Sequence, residues 1–270
     1  MIKAVINMKL SYIDKGNEFD FGRTSEDYAK YRDIYPRSMY EKLIAFGIGH
    51  KGQRILDLGS GTAVLPLNLS HTGARFDATD ISENQIALGK ALVAERGVCN
   101  VDFRVCPAED TGFADNSFDA VTAVQCFPYF DADKAASEIR RVLKPQGLFC
   151  KIIMDWKPLE DEVIAEMEAL VKRYNPLWNG SGFERYRYAY PEWAEGRFEI
   201  ETIHSYDAVL EFTKEAWIGR IRSCRGIGAS LAESRVEDFE REYREMLKTR
   251  PEPLWLKHQI HIEIYRSTKV

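Results

Sequence analysis

The residues best placed to do chemistry are Asp57-Leu-Gly59-Ser60-Gly61-Thr-Ala63, which directly follow the apolar pair Ile55-Leu56 and open a helical pattern. Glycines after a strand let the backbone turn tightly and approach a ligand closely. Asp80 closes the next apolar run. A carboxylate there can accept hydrogen bonds from both hydroxyls of a ribose. Asp57 stands immediately before the turn, where it can fix loop amides and meet a ligand ammonium group, but would repel a pyrophosphate.

Two classes of nucleotide-like cofactor use this geometry. A dinucleotide fingerprint requires G-x-G-x-x-G/A, and its sixth position here is Val64. The spacing fits G-x-G-x-G better, with Ala63 in place of the third glycine. S-adenosylmethionine carries an ammonium group and no phosphate, which suits Asp57. A purely structural turn, or another cofactor, stays open on the loop alone.

Further landmarks follow in order: Asp80-Ile81-Ser82, Pro107-Ala108-Glu109-Asp110, Asp115-Asn-Ser-Phe-Asp119, Gln125, and Arg141-Val-Leu-Lys-Pro-Gln-Gly147. With Ile55 to Ala63 they resemble a class I S-adenosylmethionine-dependent methyltransferase. The branch is the small-molecule one (type 11) that includes ubiquinone-biosynthesis and trans-aconitate methyltransferases. The resemblance covers about Tyr28 to Met154. It implies that Ala108 and Glu109 flank the adenine, that Ile81 packs on its ring, and that Gln125 lies beside the methionyl part. It also implies a Tyr and an Arg near the cofactor, matched by Tyr28 and Arg32 at i and i+4, with Arg32 pairing the methionine carboxylate. Gly59, Ser60, Gly61 and Gln85 complete the candidate cofactor contacts. For Ala108-Glu109 a plain loop is the alternative, and for Tyr28 and Arg32 a packed tyrosine stripe with a snorkelling arginine.

A sulfonium methyl is already electrophilic, so such an enzyme mainly aligns a nucleophile and excludes water. No residue reads convincingly as a general base. Cys126 and Tyr129 fall near the expected site, with packing the favoured reading for both. Cys126-Phe-Pro-Tyr129 lacks the Asn and first Pro of the Asn-Pro-Pro-Tyr motif of nucleic-acid methyltransferases. For the acceptor, the aromatic and arginine residues of the second half supply candidates: Trp156, Arg222 and Arg225, with Tyr129 from the first half. They would suit an anionic or aromatic small molecule. A solvated helix face with core aromatics is the competing reading, because Arg220, Arg222 and Arg225 cannot share one face. Two other function classes remain: a nicotinamide-dependent oxidoreductase, disfavoured by Asp57 and Val64, and a non-catalytic binding protein on the same fold.

The elements that must position these residues are legible mainly between Gln53 and Met154, where short apolar runs alternate with helical patterns as in successive βαβ units. Strands are predicted at Arg54 to Leu58, Arg75 to Thr79, Val101 to Val105, Phe118 to Val124 and Leu148 to Met154. Ser82-Glu-Asn-Gln85 is a capping box, and a second helix starts near Asp131 and ends before the turn Lys144-Pro-Gln-Gly147. A helix over Ser25 to Tyr35, stopped by Pro36, and another over Arg37 to Phe46 form an N-terminal cover. Leu159, Val163, Met167, Leu170 and Val171 make an amphipathic stripe. Asn175 to Arg197 lacks a period and reads as an inserted lid. Strands at Phe198 to Phe212 and His258 to Tyr265, with helices near Lys214 to Ser223 and Ser234 to Lys248, complete the chain. The fold expected is α/β: a Rossmann-like, mostly parallel seven-stranded sheet with helices on both faces. Its parts are a cover (1–50), a cofactor-binding core (51–154), a helix plus lid (155–197) and the last strands and helices (198–270).

Composition sets the outer limits. The 270 residues are 45% hydrophobic, and 42 acidic against 37 basic residues give a net charge of -5, so no global attraction to nucleic acid is available. No apolar run approaches the roughly 18 to 20 residues that cross a bilayer, and Met1 to Asn7 is too short for a secretory signal, so a cytoplasmic protein is expected. Five cysteines without a C-x-x-C pair, and five scattered histidines, suggest neither a disulfide framework nor a metal site. Oligomeric state is not legible.

Overall fold

Seven strands form one sheet: β1 (Arg54–Leu58), β2 (Arg75–Asp80), β3 (Val101–Val105), β4 (Phe118–Val124), β5 (Leu143–Trp156), β6 (Phe198–Phe212) and β7 (Leu254–Ser267), in the order β3-β2-β1-β4-β5-β7-β6. The computed structural model describes residues 8–269, so the N-terminal segment 1–7 lies outside the described residues. β1 runs parallel to β2 and β4, β2 parallel to β3, and β4 parallel to β5. The expected mostly parallel seven-stranded Rossmann-like sheet is therefore present. Strand order reverses between β1 and β4, and in open α/β sheets ligands bind at the carboxyl ends of the strands flanking such a reversal.

Helices occupy the connections: α1 (Ser25–Tyr31), α2 (Arg37–Ala45), α3 (Val64–Leu69), α4 (Glu83–Glu95), α5 (Ala132–Val142), α6 (Glu162–Tyr174), α7 (Lys214–Arg222) and α8 (Glu233–Leu247). Caps fix several starts. The Ser82 hydroxyl accepts the Gln85 amide at 3.4 Å, and the Asp131 carboxylate accepts the Lys134 amide at 3.3 Å.

Two compact units are distinguished by their internal contacts. One, the loop unit, comprises Tyr35–Met154, Arg187–Tyr206 and Ile260–Val270. The other, the tryptophan unit, comprises Met1–Ile34, Asp155–Tyr186 and Asp207–Gln259. In the loop unit, Leu56, Val121 and Phe149 from three strands bury against Ala135, Ile139 and Val142 of α5. Burial on this scale, about 1.5–3 kcal/mol per large apolar side chain, is what holds the sheet under its helix. In the tryptophan unit the core gathers Met167, Leu170, Trp178, Trp217 and Phe239.

Three elements differ from the sequence reading. α1 ends at Tyr31 rather than Tyr35, because residues ahead of Pro36 are driven out of the helical region. Leu159 does not join the α6 stripe and is 71% exposed; Asp161 caps the helix through the amides of Val163 and Ile164, so burial starts at Ile164. β5 begins at Leu143, and the Lys-Pro-Gln-Gly turn appears within it as a bulge: the register jumps between the pairs Phe118↔Leu143 and Ala120↔Leu148, with Gln146 at φ 61°. Residues 175–197 contain one short 3₁₀ turn, Glu192–Ala194, and otherwise neither helix nor strand.

Candidate functional site

In the loop unit the glycine turn leaves β1 with Gly59, Gly61 and Ala63 all at positive φ, 56°, 57° and 64°. Gly59 is doubly constrained. A Cβ there would lie 2.7 Å from the Cβ of Cys126, so the chain has no room for a side chain as well as a left-handed backbone. The Ser60 amide donates to the Thr79 carbonyl at 2.8 Å, tying the turn to the end of β2.

Asp57 and Asp80 divide the work differently from the sequence expectation. The Asp80 carboxylate, not that of Asp57, holds the loop: it accepts the Gly61 amide at 3.0 Å and the Ser82 amide at 2.8 Å. Asp57, 2% exposed, instead accepts the hydroxyls of Ser60 at 2.5 Å and Thr122 at 2.6 Å. Burial pushes the Asp57 carboxyl up to about 6, against the hydrogen bonds of the two hydroxyls, with the Asp80 charge adding to the rise. Burial likewise raises Asp80, while the Ser82 and Gly61 amides oppose it.

Around this pair stand the other loop-unit candidates. Ile81 follows Asp80 with its side chain 41% exposed. Gln85 is buried on the first turn of α4. Ala108 is buried, and Glu109 accepts the Asp131 amide at 2.8 Å, fixing the start of α5. Gln125 ends β4 in a left-handed conformation, φ 63°, with its amide nitrogen donating to the Met154 carbonyl at 2.5 Å. A non-glycine residue at positive φ stores strain that a packed surrounding must hold. Tyr129 lies on the 3₁₀ turn Phe127–Tyr129 that follows. Burial raises the Cys126 thiol well above its ordinary range, and it donates to the Leu58 carbonyl at 3.0 Å, so it stays protonated and structural.

The remaining candidates, Tyr28, Arg32, Trp156, Arg222 and Arg225, belong to the tryptophan unit. Arg32 stacks its guanidinium 4.8 Å from the centre of the Tyr28 ring, so the i, i+4 pairing forms although the helix has ended. Trp156 donates its indole N–H to Glu168 at 2.6 Å. Arg222 and Arg225, expected to bind the acceptor, are each engaged by carboxylates of the chain itself. Arg222 grips both oxygens of Asp27 at 2.5 Å and also pairs with Glu240; Arg225 pairs with Asp14 and donates to Asn179 at 3.1 Å. Half-buried guanidinium groups need such carboxylates, and freeing either for a ligand would strand its partner.

One residue that matters escaped the sequence reading, and another had two readings open. Thr122 lies in β4 with no motif signal, yet sets the environment of Asp57. Arg220, for which the sequence left a pocket and a solvated face open, is 2% exposed, with its guanidinium 5.3 Å from the Trp156 ring centre.

Comparison with known proteins bears on this geometry. Residues 56–150 match the family described as methyltransferase domain. The chain is 32% identical over 152 residues to the ubiquinone/menaquinone biosynthesis C-methyltransferase UbiE of Nitrosospira multiformis, covering 52% of this chain and 61% of that one. It is 29% identical over 151 residues to the uncharacterized methyltransferase YcgJ of Bacillus subtilis, covering 56% of this chain and 59% of the relative. The chain thus spans at most about three-fifths of the length of these relatives. The crystal structure of YcgJ superposes with a TM-score of 0.56 at 21% identity, covering 87% of this chain and 100% of that one, a likeness of fold.

Proposed function

We propose that the chain is a class I S-adenosylmethionine-dependent methyltransferase that transfers the cofactor's methyl group directly to a small, aromatic or anionic acceptor. The observation that carries this reading is the Asp80 arrangement. One carboxylate organises both the glycine turn and the start of α4 at the sheet's reversal point, with the exposed Ile81 side chain next to it. Those residues fit the cofactor: the glycine turn keeps backbone rather than side chains at the end of β1, the ribose hydroxyls can share Asp80, and an adenine can cover Ile81.

When bound, the cofactor supplies an electrophilic sulfonium methyl. The chain's own residues then bind, orient and exclude water. Asp57, set deep behind the turn, offers negative charge to the ammonium end. Ala108 and Glu109 frame the adenine, and Gln125 shapes the far end of the cleft from its strained backbone. No loop-unit group stands out as a proton acceptor, which favours alignment of an acceptor over general-base chemistry as the main contribution. The role named for the Nitrosospira relative supports a small-molecule acceptor, and the net charge of -5 argues against nucleic acid. No helix among the described residues is long and apolar enough to cross a membrane.

Calorimetric titration with S-adenosylmethionine, S-adenosylhomocysteine and NAD tests the reading. Wild type should bind the first two, and Asp80→Ala should weaken both by about ten-fold or more as charge-assisted hydrogen bonds are lost. NAD bound tightly with no adenosyl-sulfonium signal would sink it. A labelled-methyl assay across acceptor classes then separates an enzyme from a binder.

A further inference from the structure

In the loop unit, residues 106–117 run from β3 to β4 as neither helix nor strand, so side chains must satisfy the backbone that the sheet does not. α5 does this at two points. The amide of its N-cap residue Asp131 donates to Glu109 at 2.8 Å, and Glu138, further along the helix, receives Thr111. Oε1 of Glu138 accepts the Thr111 amide at 2.8 Å and the Thr111 hydroxyl at 2.5 Å. Thr111 is 1% exposed, and its carbonyl is engaged as well, by Nη1 of Arg104 at 2.8 Å. A third tie, the Cys106 amide on the Asp80 carbonyl at 3.1 Å, joins the start of the segment to β2.

Glu138 is itself clamped. Arg141, three residues further along α5, donates Nε to its Oε2 at 2.7 Å and Nη2 to its Oε1 at 2.8 Å, a two-pronged pair, and reaches Asp115 with Nη1 at 2.7 Å. Burial works against the charge of Glu138, and the hydrogen bonds from Arg141 and Thr111 outweigh it, holding the carboxyl below its ordinary range. The consequence falls on Ala108 and Glu109, which lie between the fixed points at Cys106 and Thr111. A site that tells two ligands apart by hydrogen bonds needs its donors and acceptors held to within about 0.5 Å by the residues behind them.

We propose that Glu138 is a specificity-determining positioning residue: clamped by Arg141, it holds Thr111, and through it the segment 106–113, so that Ala108 and Glu109 take an amino-bearing purine and reject an oxo-bearing one. The proposal deepens the methyltransferase reading, in which Ala108 and Glu109 frame the adenine, and rests on it. A carboxylate and a backbone amide are complementary to adenine, whose exocyclic amine donates and whose N1 accepts. Hypoxanthine reverses both roles, with an oxygen in place of the amine and a hydrogen on N1, and would leave both groups of the protein without partners.

The test titrates the full chain calorimetrically with S-adenosylhomocysteine and with its deaminated counterpart, S-inosylhomocysteine, and reads the ratio of the two affinities, which a merely structural loss would not move because it weakens both ligands alike. Wild type should prefer S-adenosylhomocysteine by at least about ten-fold. Glu138→Ala should bring the two ligands to within about three-fold of each other, mainly by weakening S-adenosylhomocysteine. Glu138→Gln, whose carboxamide oxygen can still accept both Thr111 donors, should keep most of the preference. Ser137→Ala, at an exposed hydroxyl one residue away, should leave it within about two-fold. Thr111→Val removes only the hydroxyl and gives an independent arm should Glu138→Ala fold poorly, with a preference reduced about three-fold. A Glu138→Ala variant that folds and keeps the wild-type ratio overturns the proposal, as does wild type that binds both ligands equally. Wild type that binds neither overturns the methyltransferase reading, and the proposal with it.

Discussion

Asp57 and Thr122 face each other across adjacent parallel strands, register partners joined by a 2.6 Å hydrogen bond from the threonine hydroxyl to the buried carboxylate. With the Ser60 hydroxyl on the other oxygen, this bond is what lets an acid sit 2% exposed beneath the glycine turn. Thr122→Val keeps the shape and removes the donor. It should cost about 1–3 kcal/mol in urea unfolding, because a buried acceptor loses its partner, while Ser117→Ala, on an exposed turn, should cost far less.

The same carboxylate should make stability depend on pH. Folded Asp57 keeps its proton up to about pH 6, against an ordinary value of 3.8. The native state therefore binds more protons than the unfolded chain across that window, and the Asp57 contribution, complete below 3.8, is lost as pH rises through 6. The stability difference between wild type and Asp57→Asn should accordingly move against wild type by about 2 kcal/mol between pH 4 and 7. A flat difference in paired denaturation curves would show that the carboxyl titrates normally.

Crowding and backbone conformation can be separated at two glycines. Gly59 (φ +56°) would place a Cβ 2.7 Å from Cys126, whereas Gly97 (φ +65°) would meet nothing within 4 Å. Alanine at either position carries the left-handed penalty of about 1 kcal/mol. Gly59→Ala should add about 1–3 kcal/mol of overpacking and lose cofactor binding in calorimetry, while Gly97→Ala should bind as wild type does.

Arg222 and Asp27 form a bidentate pair between α7 and α1, with side chains 25% and 23% exposed. A double-mutant cycle on Arg222→Met and Asp27→Asn should give a coupling energy on the order of 1–2 kcal/mol, above the norm for surface pairs because the geometry is two-pronged and partly desolvated. Coupling near zero would mean that the pair contributes no stability and that Arg222 is available to a ligand after all.

How much of this was legible in the sequence depends on distance along the chain. The glycine turn, Asp80 and the Ser82 cap are local patterns, and the structure has them where their spacing puts them. The Lys-Pro-Gln-Gly segment reads locally as a turn feeding the fifth strand, but its absorption into β5 as a bulge depends on pairing with β4, which no local window contains. Arg222 finds Asp27 195 residues away, so its commitment to an ion pair was invisible. Arg220 and Arg222 look alike in sequence, and only the packing of α7 buries one against Trp156 while turning the other to carboxylates. Thr122 reads as an ordinary β-branched strand residue because its hydroxyl acquires meaning only opposite Asp57.

Ile81 carries a thermodynamic consequence. Left 41% exposed beside Asp80, it is apolar surface that a bound adenine would remove from water. Uptake of the cofactor should therefore lower the heat capacity, so that the calorimetric enthalpy of binding grows steadily more favourable on warming. Ile81→Ser should flatten that temperature slope while leaving the hydrogen bonds of Asp80 in place, a signature that a ligand held by charge alone would not give.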